Sequence, residues 1–282
     1  MPLHRPESLD AALALLQGGR AVALGGGTDL YPALRDGPPP SDMVDLTRIV
    51  GLRGISRSET GWRIGGATTW TQVVKAELPP LFEGLKAAAR EVGSVQIQNA
   101  GTVAGNLCNA SPAADGVPAL LALDAQVELA APSGARRMPL SDFITGPRAT
   151  TLAPGEILTA LFIPEAAGRG AFLKLGARRY LVISIAMVSA VVEMEGGTLK
   201  NARLAVGACS PVARRLPALE ATLAGQTITQ AGQAALTYDY PELSPIDDVR
   251  ARAGYRREAV ATLVARTLAQ AALTDKEVPH VA

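Results

Sequence analysis

The order of helix-like and strand-like segments in this chain agrees with an α+β fold. Short helix-like and strand-like segments fill the first part of the sequence, and a stretch rich in proline, glycine and charge at 164–169 predicts a linker. Beyond the linker, two apolar strand-like runs at 183–192 and 199–206 precede a helical pattern that continues to the end. The sequence therefore predicts two domains of different construction.

Composition indicates a globular protein with a sizeable core. The chain has 282 residues, of which 48% are hydrophobic, and a net charge of +1. Its most apolar run, 181–192, is too short to span a membrane, and the N-terminus has no signal-peptide pattern. We therefore expect a cytoplasmic location and no membrane span.

Charge and reactive side chains exclude several classes of function. The 27 basic and 26 acidic residues nearly balance, which leaves no electrostatic footprint for nucleic acid or an anionic membrane. Cys108 and Cys209 are the only cysteines, too few for an iron–sulfur cluster or a structural zinc. His4 and His280 lie near the termini, where we expect them to be solvated, so neither a catalytic triad nor a metal site is predicted.

Capping residues and apolar spacing predict the elements before the linker. Ser8 is the predicted N-cap of a first helix, which ends at Gly18-Gly19. Trp62 and Trp70 are assigned to the core. The other predicted elements are strands at 21–24, 42–46, 62–64 and 126–130, a helix capped by Thr68 or Thr69 that runs to Lys75, helices at 81–92 and 118–123, and a loop at 101–115.

After the linker the pattern predicts a hairpin and then helices. Glu195-Gly196-Gly197-Thr198 is a turn signal between the two apolar runs. In the last helix we expect one core face and place three arginines mostly off it. The predicted core positions are Val260, Leu263, Val264, Leu268 and Ala271, and the arginines are Arg256, Arg257 and Arg266.

Two loops rich in small residues are the candidate ligand-binding segments. The first, Gly25-Gly26-Gly27-Thr28-Asp29-Leu30, directly follows a predicted strand, an arrangement in which amide groups turn together onto a phosphate. It matches neither GxGxxG nor the P-loop. The second, residues 101–115, adds short neutral donors and the carboxylate of Asp115, which suits a phosphorylated, hydroxyl-rich ligand. Small polar residues also dominate ordinary surface turns, so each loop alone leaves both interpretations open.

These loops carry a resemblance to a known family. Together with Ile64-Gly65-Gly66-Ala67-Thr68-Thr69 between them, they resemble the FAD-binding (medium) subunit of the molybdenum hydroxylases, the xanthine dehydrogenase and carbon monoxide dehydrogenase group. Two small departures are Ala104, where glycine is usual, and Gly66, which adds a residue to the middle motif. The resemblance extends over the whole chain, through Phe172-Leu173-Lys174 with Arg178-Arg179 and through Asp248-Val249-Arg250 with Tyr255-Arg256.

The resemblance implies a specific architecture. Residues 1–168 would form an FAD-binding domain of the vanillyl-alcohol-oxidase-like (PCMH) type, made of two α/β subdomains with a boundary near residue 55. Residues 169–282 would form a small C-terminal α+β domain with a short antiparallel sheet and helices. The predicted element order agrees with both.

The resemblance also implies an electron-transfer function. The chain would hold FAD and take electrons from 2Fe-2S clusters on a small partner subunit. A large partner subunit would carry the molybdenum cofactor, a molybdopterin, in a heterotrimer that forms dimers. NAD or another acceptor would receive the electrons. With histidine only at the termini, we expect FAD to be bound non-covalently.

The implied cofactor contacts fall in both loops and beyond them. Backbone amides of the first loop would bind the diphosphate, Lys174 would place a cation near the flavin, and no catalytic acid, base or metal ligand is assigned. Tyr180 could stack on the flavin ring or simply pack. The full set of expected FAD contacts is Leu24, Gly25, Gly26, Gly27, Thr28, Asp29, Leu30, Ile64, Thr68, Thr102, Gly105, Asn106, Ser111, Asp115, Leu158 and Lys174.

Two other functions stay open at this point. A stand-alone flavin oxidoreductase of the vanillyl-alcohol-oxidase type would need catalytic groups over the flavin, and a histidine for that role is absent between the termini. A nucleotide-binding scaffold without redox activity is the second. For Asp115 we weigh a contact to a ligand hydroxyl against a cap on the following helix.

Overall fold

The structure, a computed structural model, describes residues 2–35 and 37–273. His280 therefore lies outside the described residues. Eleven α-helices are described: α1 Leu9–Leu16, α2 Leu30–Leu34, α3 Trp70–Lys75, α4 Glu83–Glu91, α5 Val95–Ala100, α6 Val103–Asn109, α7 Gly116–Ala122, α8 Leu140–Phe143, α9 Pro217–Leu223, α10 Ile228–Thr237 and α11 Ala253–Ala271. Short 3-10 helices cover Leu46–Arg48, Val50–Leu52 and Pro80–Phe82.

Strands accompany these helices along the described chain, largely in separate runs of helices and of strands, which gives the mixed composition expected of an α+β protein. They are β1 Leu3–His4, β2 Ala21–Leu24, β3 Asp42–Asp45, β4 Ile55–Ser58, β5 Gly61–Gly65, β6 Gln126–Ala131, β7 Gly134–Pro139, β8 Ile144–Gly146, β9 Ala149–Thr150, β10 Ile157–Pro164, β11 Arg169–Leu175, β12 Ala186–Glu195, β13 Thr198–Gly207 and β14 Arg214–Arg215. The predicted fold class is confirmed.

The chain divides into two compact units. The first unit comprises Met1–Ala76, Val92–Ala114 and Asp124–Glu165. The second unit comprises Glu77–Glu91, Asp115–Leu123 and Ala166–Ala282. Two segments that precede the linker thus belong to the second unit. The domain boundary at 168 and the subdomain boundary near 55 stay predictions.

The first unit is built on two sheets of opposite kind. A parallel three-stranded sheet has the order β1-β3-β2, and helix α1 packs Ala12, Leu13 and Leu16 into its core. Ser8 caps α1 as predicted, because its side chain accepts a hydrogen bond from the amide of Ala11 at 3.2 Å. The second sheet is antiparallel, in the order β4-β5-β10-β6-β7. Thr69 begins helix α3 with a reciprocal capping box to Gln72.

The second unit has one antiparallel sheet, in the order β11-β12-β13-β14. Helix α11 packs against β11 and β12 and lies beside α10. Val260, Val264, Leu268 and Ala271 of α11 are buried in this core, and Leu263 packs against it partly buried. The predicted apolar face of the last helix is therefore confirmed.

Several predicted details differ from the structure. The first of the two apolar runs after the linker begins as a strand at Ala186, not at residue 183. Trp62 is only half-buried and lies against the guanidinium of Arg57, whereas Trp70 is in the core as expected. Residues 101–115 are not simply a loop, because α6 occupies the middle of the segment. Tyr180 is 66% exposed and is not part of the core, and the guanidinium of Arg179 lies over its ring.

The burial of Arg256 is the largest difference between the predicted and the observed last helix. Only 2% of this residue is exposed, although helical spacing places it mostly off the apolar face. Its guanidinium donates to the carbonyls of Ile185 and Ala208 and to the carboxylate of Asp248, 2.7 Å away. Asp248 also accepts from the amides of Arg250 and Ala251. A buried guanidinium needs such partners, and the loop before α11 supplies them.

Among the described residues, no helix has the length and apolar character needed to cross a membrane. The described chain also contains no group of three or more histidine, cysteine, aspartate or glutamate side chains arranged to hold a metal ion.

Candidate cofactor site

The candidate site in the first unit includes a glycine loop, residues 25–29, between β2 and α2. Its amides at residues 26–29 donate to no acceptor within residues 2–35 and 37–273. Asp29 stands at the N-cap position of α2, but its side chain makes no capping hydrogen bond. Backbone donors of this kind are satisfied by solvent or by a ligand, and consecutive free amides form a binding site for an anion.

The glycine loop lies directly against the segment that precedes α6. A Cβ built on Gly26 would stand 1.8 Å from the carbonyl oxygen of Ala100, and one built on Gly25 would stand 2.6 Å from Oγ1 of Thr102. Gly27 has a φ of +71°, which disfavours any residue with a side chain. Glycine at 26 therefore lets backbone meet backbone, whereas glycine at 25 leaves room for the Thr102 side chain and glycine at 27 permits the positive φ. The structure brings the two predicted loops together.

Thr102 and Thr68 have structural partners inside the first unit. The hydroxyl of Thr102 accepts from the amide of Gly105 at 3.1 Å and so caps α6. The hydroxyl of Thr68 donates to the carbonyl of Gly54 at 3.0 Å. The Thr68 carbonyl accepts from the amide of Val103 at 2.9 Å, which fixes the start of α6 against the middle motif. Ile64 beside it is fully buried.

The two departures from the family pattern are in contact. A Cβ built on Gly66 would lie 2.4 Å from the carbonyl oxygen of Leu158 and 3.1 Å from the Cβ of Ala104. The amide of Ala104 donates to the carbonyl of Gly66 at 3.1 Å. Alanine at 104 therefore fits because glycine stands at 66. Leu158, another expected contact, is buried beside them at 4% exposure.

Asn106, on α6, carries an unsatisfied polar atom. Its side-chain oxygen Oδ1 is buried and has no hydrogen-bond partner among the described residues. An amide oxygen in that state costs stability unless a ligand or water donates to it. Gly105 beside it is exposed, and the hydroxyl of Ser111 accepts from the amide of Ala113 at 3.3 Å. Burial raises the pKa of the nearby Cys108 thiol to about 12, so this cysteine stays protonated.

In the second unit, Asp115 and Lys174 form a buried ion pair with each other. Nζ of Lys174 lies 2.8 Å from Oδ2 of Asp115, and the two side chains are 7% and 9% exposed. Ser184 donates to the other carboxylate oxygen at 2.6 Å. Lys174 also donates to the carbonyl of Glu91 at 3.4 Å. Two residues expected to touch FAD thus make strong contacts inside the protein.

The pair is held against a large electrostatic cost. Burial raises the pKa of the Asp115 carboxyl. The positive charge of Lys174 opposes that rise, and so do the hydrogen bonds that Lys174 and Ser184 donate to the carboxylate. Asp115 stands at the N-cap position of α7 but makes no capping hydrogen bond. The capping interpretation of Asp115 is therefore wrong. The sequence analysis did not identify Ser184 as a partner of Asp115, although a polar residue within an apolar run is a signal that could have pointed to it.

Comparisons with known proteins identify the family. Residues 1–166 match the FAD binding domain in molybdopterin dehydrogenase, and residues 171–271 match the CO dehydrogenase flavoprotein C-terminal domain. The chain belongs to the FAD-binding subunits of the molybdenum hydroxylase family. It is therefore a subunit of an FAD-dependent oxidoreductase, and the resemblance found in the sequence is confirmed.

Individual relatives of this FAD-binding subunit cover nearly its whole length. The putative xanthine dehydrogenase FAD-binding subunit XdhB of Escherichia coli (strain K12) is 31% identical over 281 residues, covering 95% of this chain and 94% of the relative. The 6-hydroxypseudooxynicotine dehydrogenase complex subunit alpha of Paenarthrobacter nicotinovorans is 32% identical over 276 residues, covering 94% and 92%.

Solved structures agree with the sequence relatives. A chain of reconstituted CO dehydrogenase from Oligotropha carboxidovorans superposes with a TM-score of 0.88 at 28% identity, covering 96% of this chain and 97% of that one. A chain of quinoline 2-oxidoreductase from Pseudomonas putida 86 also gives 0.88, at 26% identity and 96% coverage of both chains. The fold is that of the family's FAD-binding subunit.

Gly26→Ala tests the contact between the two loops. A Cβ at this position would collide with the Ala100 carbonyl, so the loops must separate, and we expect a loss of about 2 kcal/mol in the free energy of unfolding. FAD content should fall in parallel, because the same separation moves the free amides. Denaturant unfolding and flavin content would be measured together. Gly51→Ala is the control, since a Cβ there meets no atom within 4 Å; equal stability of the two variants would contradict the contact.

Asp115→Ala tests the buried ion pair. Removing the carboxylate leaves the Lys174 ammonium buried without its counter-ion, so we expect a loss of about 3–5 kcal/mol in the free energy of unfolding. The double variant Asp115→Leu with Lys174→Met should recover most of that loss, because no isolated charge remains. If Asp115→Ala unfolds like the wild type in urea, the pair does not have the energetic role described.

Proposed function

We propose that this chain is the FAD-carrying electron-transfer subunit of a multi-subunit molybdenum hydroxylase. It takes electrons from 2Fe-2S clusters on a small partner subunit and passes them to NAD or another acceptor. The oxidised substrate and the molybdenum cofactor belong to a third, large subunit, in an assembly that forms a dimer of heterotrimers. The names of its relatives support a multi-subunit setting, since they include a dehydrogenase complex subunit and medium chains of carbon monoxide dehydrogenase.

The run of free amides at residues 26–29 carries this proposal. A diphosphate needs several donors that converge on its oxygens, and backbone N–H groups supply them without the entropy cost of ordering long side chains. Arginine or lysine is not needed within the loop itself. The loop is also fixed by its contact with Ala100 and Thr102, so its donors are already in place before the cofactor binds.

Asn106 supports the same cofactor from the other loop. A buried Oδ1 without a partner accepts a hydrogen bond from a hydroxyl or an imide N–H, and FAD offers both kinds of donor. Gly105, exposed beside it, leaves the backbone there open to close approach. The first-unit residues present therefore fit FAD, and non-covalent attachment remains our expectation.

Composition agrees with this division of labour among subunits. A 2Fe-2S cluster typically takes four cysteine thiolates and this chain has two cysteines, so the proposed clusters would lie on another chain. Bound FAD would supply the chemistry that joins one-electron donors to a two-electron acceptor. This chain binds and orients it, and no residue here is assigned as a catalytic acid or base. The predicted contacts of Asp115 and Lys174 with FAD, and a cytoplasmic location, remain part of the proposal.

Asn106→Ala is the direct test of this site. We expect the dissociation constant for FAD to rise about 5- to 150-fold, because a ligand donor loses its buried acceptor. The thermal midpoint of the apo-protein should not fall, since Oδ1 has no protein partner to lose. Fluorescence titration of the apo-protein with FAD measures the dissociation constants of the wild type and of Asn106→Ala. Asn201→Ala, at an exposed position, is the control.

The titration distinguishes the role of Asn106 in the cofactor site from the binding of FAD by the chain as a whole. An unchanged dissociation constant in Asn106→Ala would remove this residue from the cofactor site. Wild-type protein that takes up no FAD, and shows no visible flavin absorption after purification, would overturn the proposed function itself.

A further inference from the structure

The C-terminal end of helix α6 is held by Arg148, which lies in the hairpin turn between β8 and β9. The amide of Arg148 donates to the carbonyl of Ala110 at 2.9 Å. Its Nη1 donates to the carbonyl of Asn109 at 3.2 Å and also to the side-chain oxygen of the same residue. The last carbonyls of a helix have no partner within it, and Arg148 satisfies two carbonyls at this end of α6. We call these contacts of Arg148 with Asn109 and Ala110 the α6 latch.

The α6 latch has an unusual backbone at both of its ends. Pro147 and Arg148 are the two central residues of the hairpin turn, since Gly146 and Ala149 pair with each other. Arg148 has a φ of +58°, and a positive φ at the second central position is normally supplied by glycine. Ala110, the C-cap of α6, is also left-handed, with a φ of +47°. Such backbone strain persists only where surrounding contacts compensate for it.

The side chain of Arg148 supplies what glycine could not supply in this turn. A glycine would fit the positive φ and keep the amide bond to Ala110, but it would lose both contacts to Asn109. The guanidinium also places a positive charge beside the C-terminal end of a helix, where it complements the partial negative charge of the carbonyls. Arg148 therefore combines a strained backbone with a side-chain contact that holds α6.

Helix α6 is too short to fix its own position. It has seven residues, fewer than two turns, so its place depends on contacts at its ends. At the N-terminal end, the amide of Val103 donates to the carbonyl of Thr68 at 2.9 Å. Asn106 lies between that contact and the α6 latch, one turn before Ala110. The position of its buried Oδ1 therefore depends on both ends of the helix.

We propose that Arg148 is a positioning residue for the FAD site, because it fixes the end of α6 that follows Asn106. Its effect on the cofactor is exerted through Asn106: while the α6 latch is in place, Oδ1 stays where a cofactor donor reaches it. This inference rests on the proposed function and adds to it a residue of the β8–β9 hairpin, which belongs to neither of the two predicted loops.

Arg148→Gly tests the proposal, because glycine tolerates the positive φ and keeps the backbone amide, so that only the guanidinium is lost. In fluorescence titration of the apo-protein, we expect the dissociation constant for FAD to rise about tenfold, since Oδ1 is less well placed to accept its hydrogen bond. The thermal midpoint of the apo-protein should stay unchanged or rise. Relief of the strained backbone offsets the loss of two exposed hydrogen bonds.

The double variant Arg148→Gly with Asn106→Ala distinguishes positioning from a general loosening of the site. If Arg148 acts through Asn106, its removal should change the FAD dissociation constant of Asn106→Ala by less than about twofold. Arg35→Gly is the matched control, because Arg35 is an exposed arginine of the first unit with a φ of +49°, at the end of α2. Its FAD affinity should equal that of the wild type.

Three results would overturn this inference. They are an unchanged FAD dissociation constant in Arg148→Gly, the same fold loss of affinity in the wild-type and Asn106→Ala backgrounds, and a lowered apo-protein midpoint in Arg148→Gly, which would leave the α6 latch only a structural role. All three leave the proposed function intact as long as the wild type binds FAD. Wild-type protein that binds no FAD would instead contradict the proposed function.

Discussion

The candidate cofactor site depends on one backbone contact that only glycine permits. At Gly26 the chain passes so close to the Ala100 carbonyl that the first carbon of a side chain would stand 1.8 Å from its oxygen. This contact joins the loop after β2 to the segment that leads into α6. Because backbone meets backbone, the position of the loop is independent of flexible side chains. The free amides at 26–29 lie in the loop that this contact holds against the segment leading into α6.

The second unit is organised around a different constraint, a buried pair of opposite charges. Lys174 and Asp115 are both nearly inaccessible to water, and each would be costly alone. Ser184 and the carbonyl of Glu91 supply further hydrogen bonds, so the charges are satisfied within one unit. An apolar pair would pack at less electrostatic cost.

Sequence patterns predicted the elements that local chemistry controls. Ser8 and Thr69 cap helices because their short hydroxyls reach the free amides of the first turn. The glycines of the first loop marked a close backbone approach, and the structure has that approach. Family motifs supplied the architecture, which periodicity alone would have left as a mixture of helices and strands.

What the sequence could not predict depends on distant partners. Helix α6 begins where the amides of Val103 and Ala104 meet the carbonyls of Thr68 and Gly66, a contact absent from any local pattern. The segment therefore looked like a loop. Arg256 is buried because Asp248 and two carbonyls surround it, although helical spacing favours an exposed position. In both cases tertiary hydrogen bonds override local preference.

Amide hydrogen exchange of the full chain, with and without FAD, tests the central claim most directly. If the free amides of the glycine loop hold the diphosphate, a peptide covering residues 25–31 should exchange more slowly when FAD is bound. A peptide covering the exposed hairpin turn at 195–198 should exchange equally in both states. Stoichiometric FAD binding with unchanged exchange at 25–31 would contradict the account, because the cofactor would then be held without these amides.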